Sequence, residues 1–146
     1  IRDVERSRGL GDVYKRQYTE SGREEIHRML GVNIEILTWL MRNPRLGQSV
    51  EYADNRISLY AAQYGKCAVT GRTLALHEIH CHHKRPKSAG GTDAYANLVI
   101  VSETVHQLVH ATDEKTIYRL LQTLRLDDQQ RNKLNKLRKQ ANLNAI

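Results

Sequence analysis

The sequence has little cysteine and no long apolar run, and each shortage excludes a class of protein. Only two cysteines occur among the 146 residues, Cys67 and Cys81, which is too few for the disulfide framework of a small secreted protein. The longest apolar stretch, around 34–41, is too short to cross a bilayer and contains Glu35 and Thr38. No leading segment combines basic charge, an apolar core and a small-residue cleavage site. We therefore expect a cytoplasmic protein that does not enter a membrane.

Basic residues outnumber acidic ones. Lys and Arg total 23 against 16 Asp and Glu, which gives a formal net charge of +7. A basic field attracts polyanions, so the charge indicates a partner such as nucleic acid. Five basic residues fall in the last predicted helix, which is either a solvated face or a surface that follows phosphates: Arg131, Lys133, Lys136, Arg138 and Lys139.

Apolar residues recur at helical spacing on both sides of a short segment with β character, which predicts an α+β fold. Helices are predicted within 23–43, ended by Pro44, and over 49–64, ended by Gly65. Three more are predicted over 103–111, 116–124 and 128–140, capped by Ser102, Thr112 and Asp127. Strands are predicted at 77–83 and 97–101, joined by a loop. The core is expected to include Trp39, Tyr60 and Leu120.

Six of the seven histidines lie between the start of the first predicted strand and the end of the helix that follows the second. His106 and His110 are four residues apart on that helix, so their rings can converge on one ion. His82 and His83 can add a third ligand and a group with an ordinary pKa of ~6.5 that can accept a proton. Adjacent residues of a regular strand face opposite sides. Both therefore serve one site only if the strand bends or ends there, and His80 with His82 is the alternative pair.

The loop after these histidines carries groups suited to a phosphate ligand. Gly90 and Gly91 allow a tight turn or a close backbone approach. Asn97 has an amide that can pin a loop or a ring by hydrogen bonding. Three cations follow the histidines and are either phosphate contacts or a solvated strand end: Lys84, Arg85 and Lys87.

The motifs HCHHKRP, GGTDAYANLVIV and HQLVH, in this order from Cys81 to His110, resemble the HNH nucleases, which have a ββα-metal architecture. The paired histidines with the H-x3-H helix look most like the colicin-type branch. The resemblance implies a small ββα-metal HNH motif flanked by helices on both sides, in which Asn97 fixes and orients the loop. It also implies that His83 is the general base and that one divalent metal ion is bound by His82, His106 and His110.

Nearly everything after about residue 18 is similar to the C-terminal endonuclease region of a group II intron-encoded reverse transcriptase. The segments that carry this resemblance include EYADNRISLYAAQYGKCAVTG, NLVIVSETVHQLVHATDE and KLNKLRK. It predicts four parts: a disordered, non-native stretch at 1–17, a helical remnant of a DNA-binding region at 18–48, the HNH endonuclease domain at 49–112, and a C-terminal helical extension at 113–146.

The activity that the resemblance implies is the nicking of one strand of double-stranded DNA. His83 would take a proton from water, the water would attack phosphorus, and the metal ion would stabilise the phosphorane and the leaving 3′ oxygen. The freed 3′-hydroxyl would prime reverse transcription, and intron RNA would be a partner of the full-length protein. Many relatives have Asp where His82 stands, and an imidazole favours softer ions. Magnesium, manganese, nickel and zinc are therefore all candidates.

The sequence departs from many of these relatives at the positions of a structural zinc site. Thr70, Ser102 and Val105 stand where three of its four cysteines would be, which excludes a four-cysteine site. Cys67 and Cys81 are instead expected to be small buried residues. Two other functions stay open. One is a non-catalytic nucleic-acid-binding module whose histidines hold a structural zinc, and the other is a free-standing HNH nuclease of a restriction or toxin system.

Overall fold

The computed structural model describes residues 33–146, which form five helices and one two-stranded sheet. In chain order the elements are α1 (Ile34–Arg42), α2 (Val50–Ala62), β1 (Ile79–His83), β2 (Leu98–Ser102), α3 (Glu103–His110), α4 (Glu114–Leu124) and α5 (Asp128–Gln140). The expected α+β class is confirmed, and the β1–β2–α3 order is compatible with a ββα unit flanked by helices. The predicted segment 1–17 and the part of the first predicted helix before residue 33 lie outside the described residues.

Side-chain caps begin most of the helices. Ser49, Ser102 and Asp127 each accept a hydrogen bond from the backbone N–H three residues later, at 3.0, 3.2 and 2.8 Å. Such a cap satisfies an N–H group that the helix leaves free and contributes about 1 kcal/mol. The predicted cap at Thr112 is wrong by one position. Asp113 begins α4, because its carboxylate accepts bonds from both the amide and the hydroxyl of the residue three positions on.

The end of α2 also differs from the sequence prediction. The helix ends at Ala62, and Tyr64 and Gly65 both have left-handed backbone angles, with φ values of 56° and 69°. Tyr64 is therefore half exposed, beyond the end of the helix. The buried face of α2 consists of Tyr52, Arg56, Leu59 and Tyr60.

The two strands pair antiparallel, with Ile79 opposite Ser102 and His83 opposite Leu98. Both predicted strands have shifted bounds, since residues 76–78 form a 3-10 turn before β1 and β2 begins one residue later than expected. Helices α2 and α3 cover opposite faces of the sheet. The Tyr52 hydroxyl of α2 donates to the Cys81 carbonyl, whereas the even-numbered residues of β1 contact α3.

The core lies around the sheet and the last three helices. Its most buried members include Ile100, Val101, Val105, Leu108 and Leu134, each with no measurable exposure. Tyr60 and Leu120 are buried as predicted, but the prediction for Trp39 is wrong, because it is 44% exposed on α1. Among residues 33–146, no helix has the length and apolar character needed to cross a membrane.

Both cysteines are buried and reduced, which confirms that they are packing residues. Cys67 lies against the start of α3, where its sulfur accepts a hydrogen bond from the Ser102 N–H at 3.4 Å. Cys81 lies on the face of β1 that α2 covers.

One basic residue of α5 is neither solvated nor free to contact phosphate. Arg138 is 3% exposed, and its guanidinium donates to the carbonyls of Leu108, Ala111 and Asn144 at 2.8, 2.8 and 2.7 Å. Two of these carbonyls belong to the end of α3, where a cation also interacts favourably with the helix dipole. Arg138 therefore anchors the end of the helix that carries His110. The other four basic residues named above are exposed.

Candidate metal centre

Three histidine side chains converge on one point between β1 and α3. One ring nitrogen from each of His82, His106 and His110 lies within 4.8 Å of the other two. The ring of His82 lies 5.2 Å, centroid to centroid, from each of the others, which are 4.6 Å apart. β1 supplies one member, and two positions one turn apart on α3 supply the rest. These three residues can hold a metal ion.

The environment of His82 fits an ion at this point. Its side chain is 1% exposed, and its Nε2 atom has no hydrogen-bond partner. Buried polar atoms nearly always have a partner, and leaving one unpaired costs about 1–3 kcal/mol. A metal ion among the three rings would give this Nε2 atom a partner.

Burial also keeps the three rings in the form that binds metal. Loss of solvent lowers the pKa of His82 from 6.5 to about 4 and that of His106 to about 3. The pKa of His110 is lowered as well, first by burial and then by the positive charge of Arg138. At neutral pH the rings are therefore uncharged, so each keeps a lone pair for an ion.

His80 belongs to the same face but not to the converging set. Its ring lies almost flat on that of His106, with centroids 3.6 Å apart and planes 24° apart. It thus shares a face with His82, as strand geometry requires. The structure does not put His80 in the place of His82, because the nitrogens that meet belong to the other three histidines.

His83 lies on the opposite face of β1, in contact with α2. Its Nε2 atom is 2.8 Å from the Asp93 carboxylate, and its ring stacks on Tyr52 with centroids 5.5 Å apart. β1 ends at His83, which meets the condition for both histidines to serve one site, although the two rings leave opposite faces of the strand. The two remain coupled through charge, since a proton on His83 lowers the pKa of His82, after the larger effects of burial and of His110 and His80.

Asp93 is the residue of this region that sequence reasoning missed. Its Oδ1 atom contacts His83 and, at 3.3 Å, the Lys87 ammonium, while Oδ2 accepts a 2.6 Å bond from the Ser49 hydroxyl. Its backbone carbonyl accepts a bond from Asn55 at 2.8 Å. The bond to His83, followed by that to Ser49, holds the pKa of Asp93 at about 2. The only sequence signal was a single carboxylate in the loop GGTDAYAN.

Asn97 closes the loop between the strands. Its amide nitrogen donates to the carbonyls of Arg85 and Thr92 at 3.1 and 2.8 Å, and its oxygen accepts the Arg85 N–H at 2.9 Å. The turn depends on both glycines. Gly90 has φ +89°, and a Cβ on Gly91 would collide with the Arg85 carbonyl oxygen. The path of the chain from β1 to β2 is thus fixed by one side chain and two glycines.

The three cations that follow β1 have different surroundings. Lys87 is half exposed and pairs with Asp93. Lys84 and Arg85 instead line an open cavity of about 500 Å³ beside the end of α5. No acidic residue lines this cavity, whose other walls are formed by Ala89, Ala96, Asn97, Gln140 and Asn142. The cavity therefore offers cations and amide groups to an anion.

Comparison with protein-family models, with curated proteins and with solved structures finds no match to this chain.

Proposed function

We propose that the chain is a metal-dependent HNH endonuclease that nicks one strand of double-stranded DNA. The observation that carries the proposal is the convergence of three neutral histidine rings, one of which, the buried His82, has an unpaired Nε2 atom. The residue after His82 on the same strand is His83, whose imidazole is hydrogen-bonded to the Asp93 carboxylate. Cationic side chains begin one residue later. A metal site, a base and phosphate contacts are the parts that hydrolysis of a phosphodiester needs.

The three converging histidines would hold one divalent ion. A bound ion would supply positive charge to the scissile phosphate and to the leaving oxygen. Manganese, nickel, zinc and magnesium are the candidates, and a set of three imidazoles without a carboxylate favours the first three over magnesium.

His83 is the proposed general base. Asp93 is ionised at neutral pH and can only accept hydrogen bonds. A hydrogen on the His83 Nε2 atom would face this carboxylate, and the lone pair of the ring would then lie on Nδ1. At that atom His83 would accept a proton from the water that attacks phosphorus. Stacking on Tyr52 limits rotation of the ring while it does so.

The loop and the end of α5 would bind the DNA backbone. Lys84 and Arg85 lie beside the cavity described above, and Asn97 fixes the loop that carries them. Attack of water on phosphorus would leave a 5′ phosphate and a 3′-hydroxyl. The resemblance to intron-encoded reverse transcriptases extends the proposal, since that hydroxyl would prime reverse transcription and intron RNA would bind the full-length protein. The alternative named above, a free-standing HNH nuclease of a restriction or toxin system, would use the same metal ligands and the same base.

A non-catalytic module with a structural zinc is the second candidate, and the orientation of His83 toward α2 favours it. The number of ligands favours catalysis. Structural zinc is normally held by four protein ligands, whereas a catalytic site has three and leaves a position open. The converging set within residues 33–146 has three members.

Plasmid nicking by the full chain tests the proposal. We expect the purified protein to convert supercoiled DNA to the open circle with at least one of manganese, nickel, zinc or magnesium, and His83→Ala to stop the reaction. His77→Ala is the matched control, because His77 is exposed and outside the converging set. The assignment is wrong if no metal supports nicking, or if His83→Ala cuts like the parent while His77→Ala does too.

A further inference from the structure

Asp93 is a carboxylate whose position is fixed by several elements. It is 9% exposed, and its contacts come from β1, from the loop and from the start of α2. The Ser49 hydroxyl donates to Asp93 and also accepts the Tyr52 N–H at 3.0 Å as the cap of α2. One hydroxyl group thus connects the carboxylate at the edge of the His83 ring to the backbone of the residue that stacks on its face.

We propose that Asp93 is a positioning residue that holds His83 in one tautomer, with the hydrogen on Nε2 and the lone pair on Nδ1. The proposal rests on the proposed function only in giving His83 a proton to accept. It assigns Asp93 no contact with the substrate.

A neutral imidazole has two nitrogens, of which one carries a hydrogen and the other a lone pair. Either can carry the hydrogen, and the hydrogen bond made by one determines which nitrogen is left to react. The Asp93 carboxylate lies 2.8 Å from Nε2 and is a charge-assisted acceptor for a hydrogen on that atom. It offers no acceptor to Nδ1. Because Ser49 and Lys87 hold the two carboxylate oxygens from other directions, Asp93 cannot turn away without losing those bonds.

A purely structural role for Asp93 makes different predictions. If it only ties the loop to α2, its replacement would lower the stability of the fold but leave the hydrogen position on His83 unchanged. The test therefore needs a readout of the ring itself. Long-range ¹H–¹⁵N correlation spectra report which imidazole nitrogen is protonated, without reference to any activity.

The experiment compares the full chain with Asp93→Asn. In the parent we expect His83 to be the Nε2–H tautomer. In Asp93→Asn, whose side chain has nearly the same shape, we expect a mixture of both tautomers. Asp54→Asn is the matched control, because Asp54 is an exposed acid on α2 and the change is chemically the same. Under the proposed function, kcat for nicking should fall about 10–100-fold in Asp93→Asn, part of the contribution of a positioned base, with KM and metal affinity unchanged.

Two results would overturn the inference. One is a parent protein in which His83 carries its hydrogen on Nδ1, a measurement that needs no variant to fold. The other is an Asp93→Asn protein with unaltered His83 ring signals. A parent that shows the expected tautomer but never nicks DNA would instead contradict the proposed function and leave the role of Asp93 in place.

Discussion

The two faces of β1 surround neighbouring histidines with opposite environments. On the α3 face, His82 is buried with an unpaired nitrogen and a pKa lowered to about 4. On the α2 face, His83 is bonded to an ionised carboxylate at 2.8 Å. Burial without a charged partner favours a neutral ring with a lone pair for metal, whereas a hydrogen bond to a carboxylate orients the ring and selects the nitrogen that carries the hydrogen. The strand thus places two chemically different imidazoles one residue apart.

Replacing His82 is expected to have the largest effect. It should abolish metal binding on the α3 face and leave the contacts of His83 on the α2 face unchanged. His82→Leu removes the central ligand, so metal binding and nicking should both be lost. The metal-free protein should be no less stable, because an apolar side chain replaces a buried atom that had no partner. Thermal unfolding with and without metal checks this. In the parent, a metal at 100 times its Kd should add about 2.7 kcal/mol, and in His82→Leu it should add nothing.

If metal still raised the unfolding temperature of His82→Leu, the converging set would be wrong. Leu76→Ala would serve as the control, since Leu76 is partly exposed and lies outside that set.

As the pH falls, the stability that depends on His82 on the α3 face should be lost before the stability that depends on Asp93 on the α2 face. The pKa of His82 is lowered from 6.5 to about 4 in the fold, so the unfolded chain binds protons first as the pH falls. Stability is therefore fully present above about pH 6.5 and is lost as the pH falls towards 4, by on the order of 3 kcal/mol from His82 alone. The pKa of Asp93 is about 2, so its contribution is lost only below about pH 4.

Urea unfolding of the metal-free protein at a series of pH values measures this order. His82→Leu should show a shallower loss of stability between pH 6.5 and 4 than the parent, and Asp93→Asn should change the profile only below that range. Identical profiles for the parent and His82→Leu would contradict the pKa assigned to His82.

Arg138 should affect metal binding on the α3 face, because its guanidinium donates to carbonyls at the C-terminal end of α3. Arg138→Met keeps much of the buried length but leaves the carbonyls of Leu108 and Ala111 without their donor. We expect a loss of about 2 kcal/mol in unfolding free energy and weaker metal binding through His110. The tautomer of His83 should not change. Chemical denaturation, metal titration and the ring spectra measure these effects, with exposed Lys139→Met as the control. A change in the His83 spectrum would show that Arg138 also acts on the α2 face, contrary to this prediction.

The parts that sequence predicted best depend on short-range geometry. His106 and His110 had to share a helix face because they are four residues apart, and Ser102 and Asp127 had to satisfy the first N–H groups of their helices. The opposite directions of the His82 and His83 side chains also followed from sequence, because successive residues of a strand point to opposite faces.

What the sequence could not give depends on tertiary contacts. Asp93 lies in a loop without periodicity, and its meeting with Ser49 joins positions 44 residues apart. Arg138 belongs to a basic run that was expected to be either solvated or in contact with phosphates, yet it is buried against the carbonyls at the end of α3. Trp39 has an apolar side chain on a helix, but among the described residues too little of the chain covers it to remove it from solvent.

The central claim is that neighbouring histidines on β1 have separate roles, and parallel metal titration and nicking assays on His82→Ala and His83→Ala test it most directly. The account predicts that His82→Ala loses both metal binding and nicking. His83→Ala should bind metal like the parent and nick DNA at least about 100-fold more slowly. Loss of metal binding in His83→Ala, or nicking at the parental rate, would contradict the account.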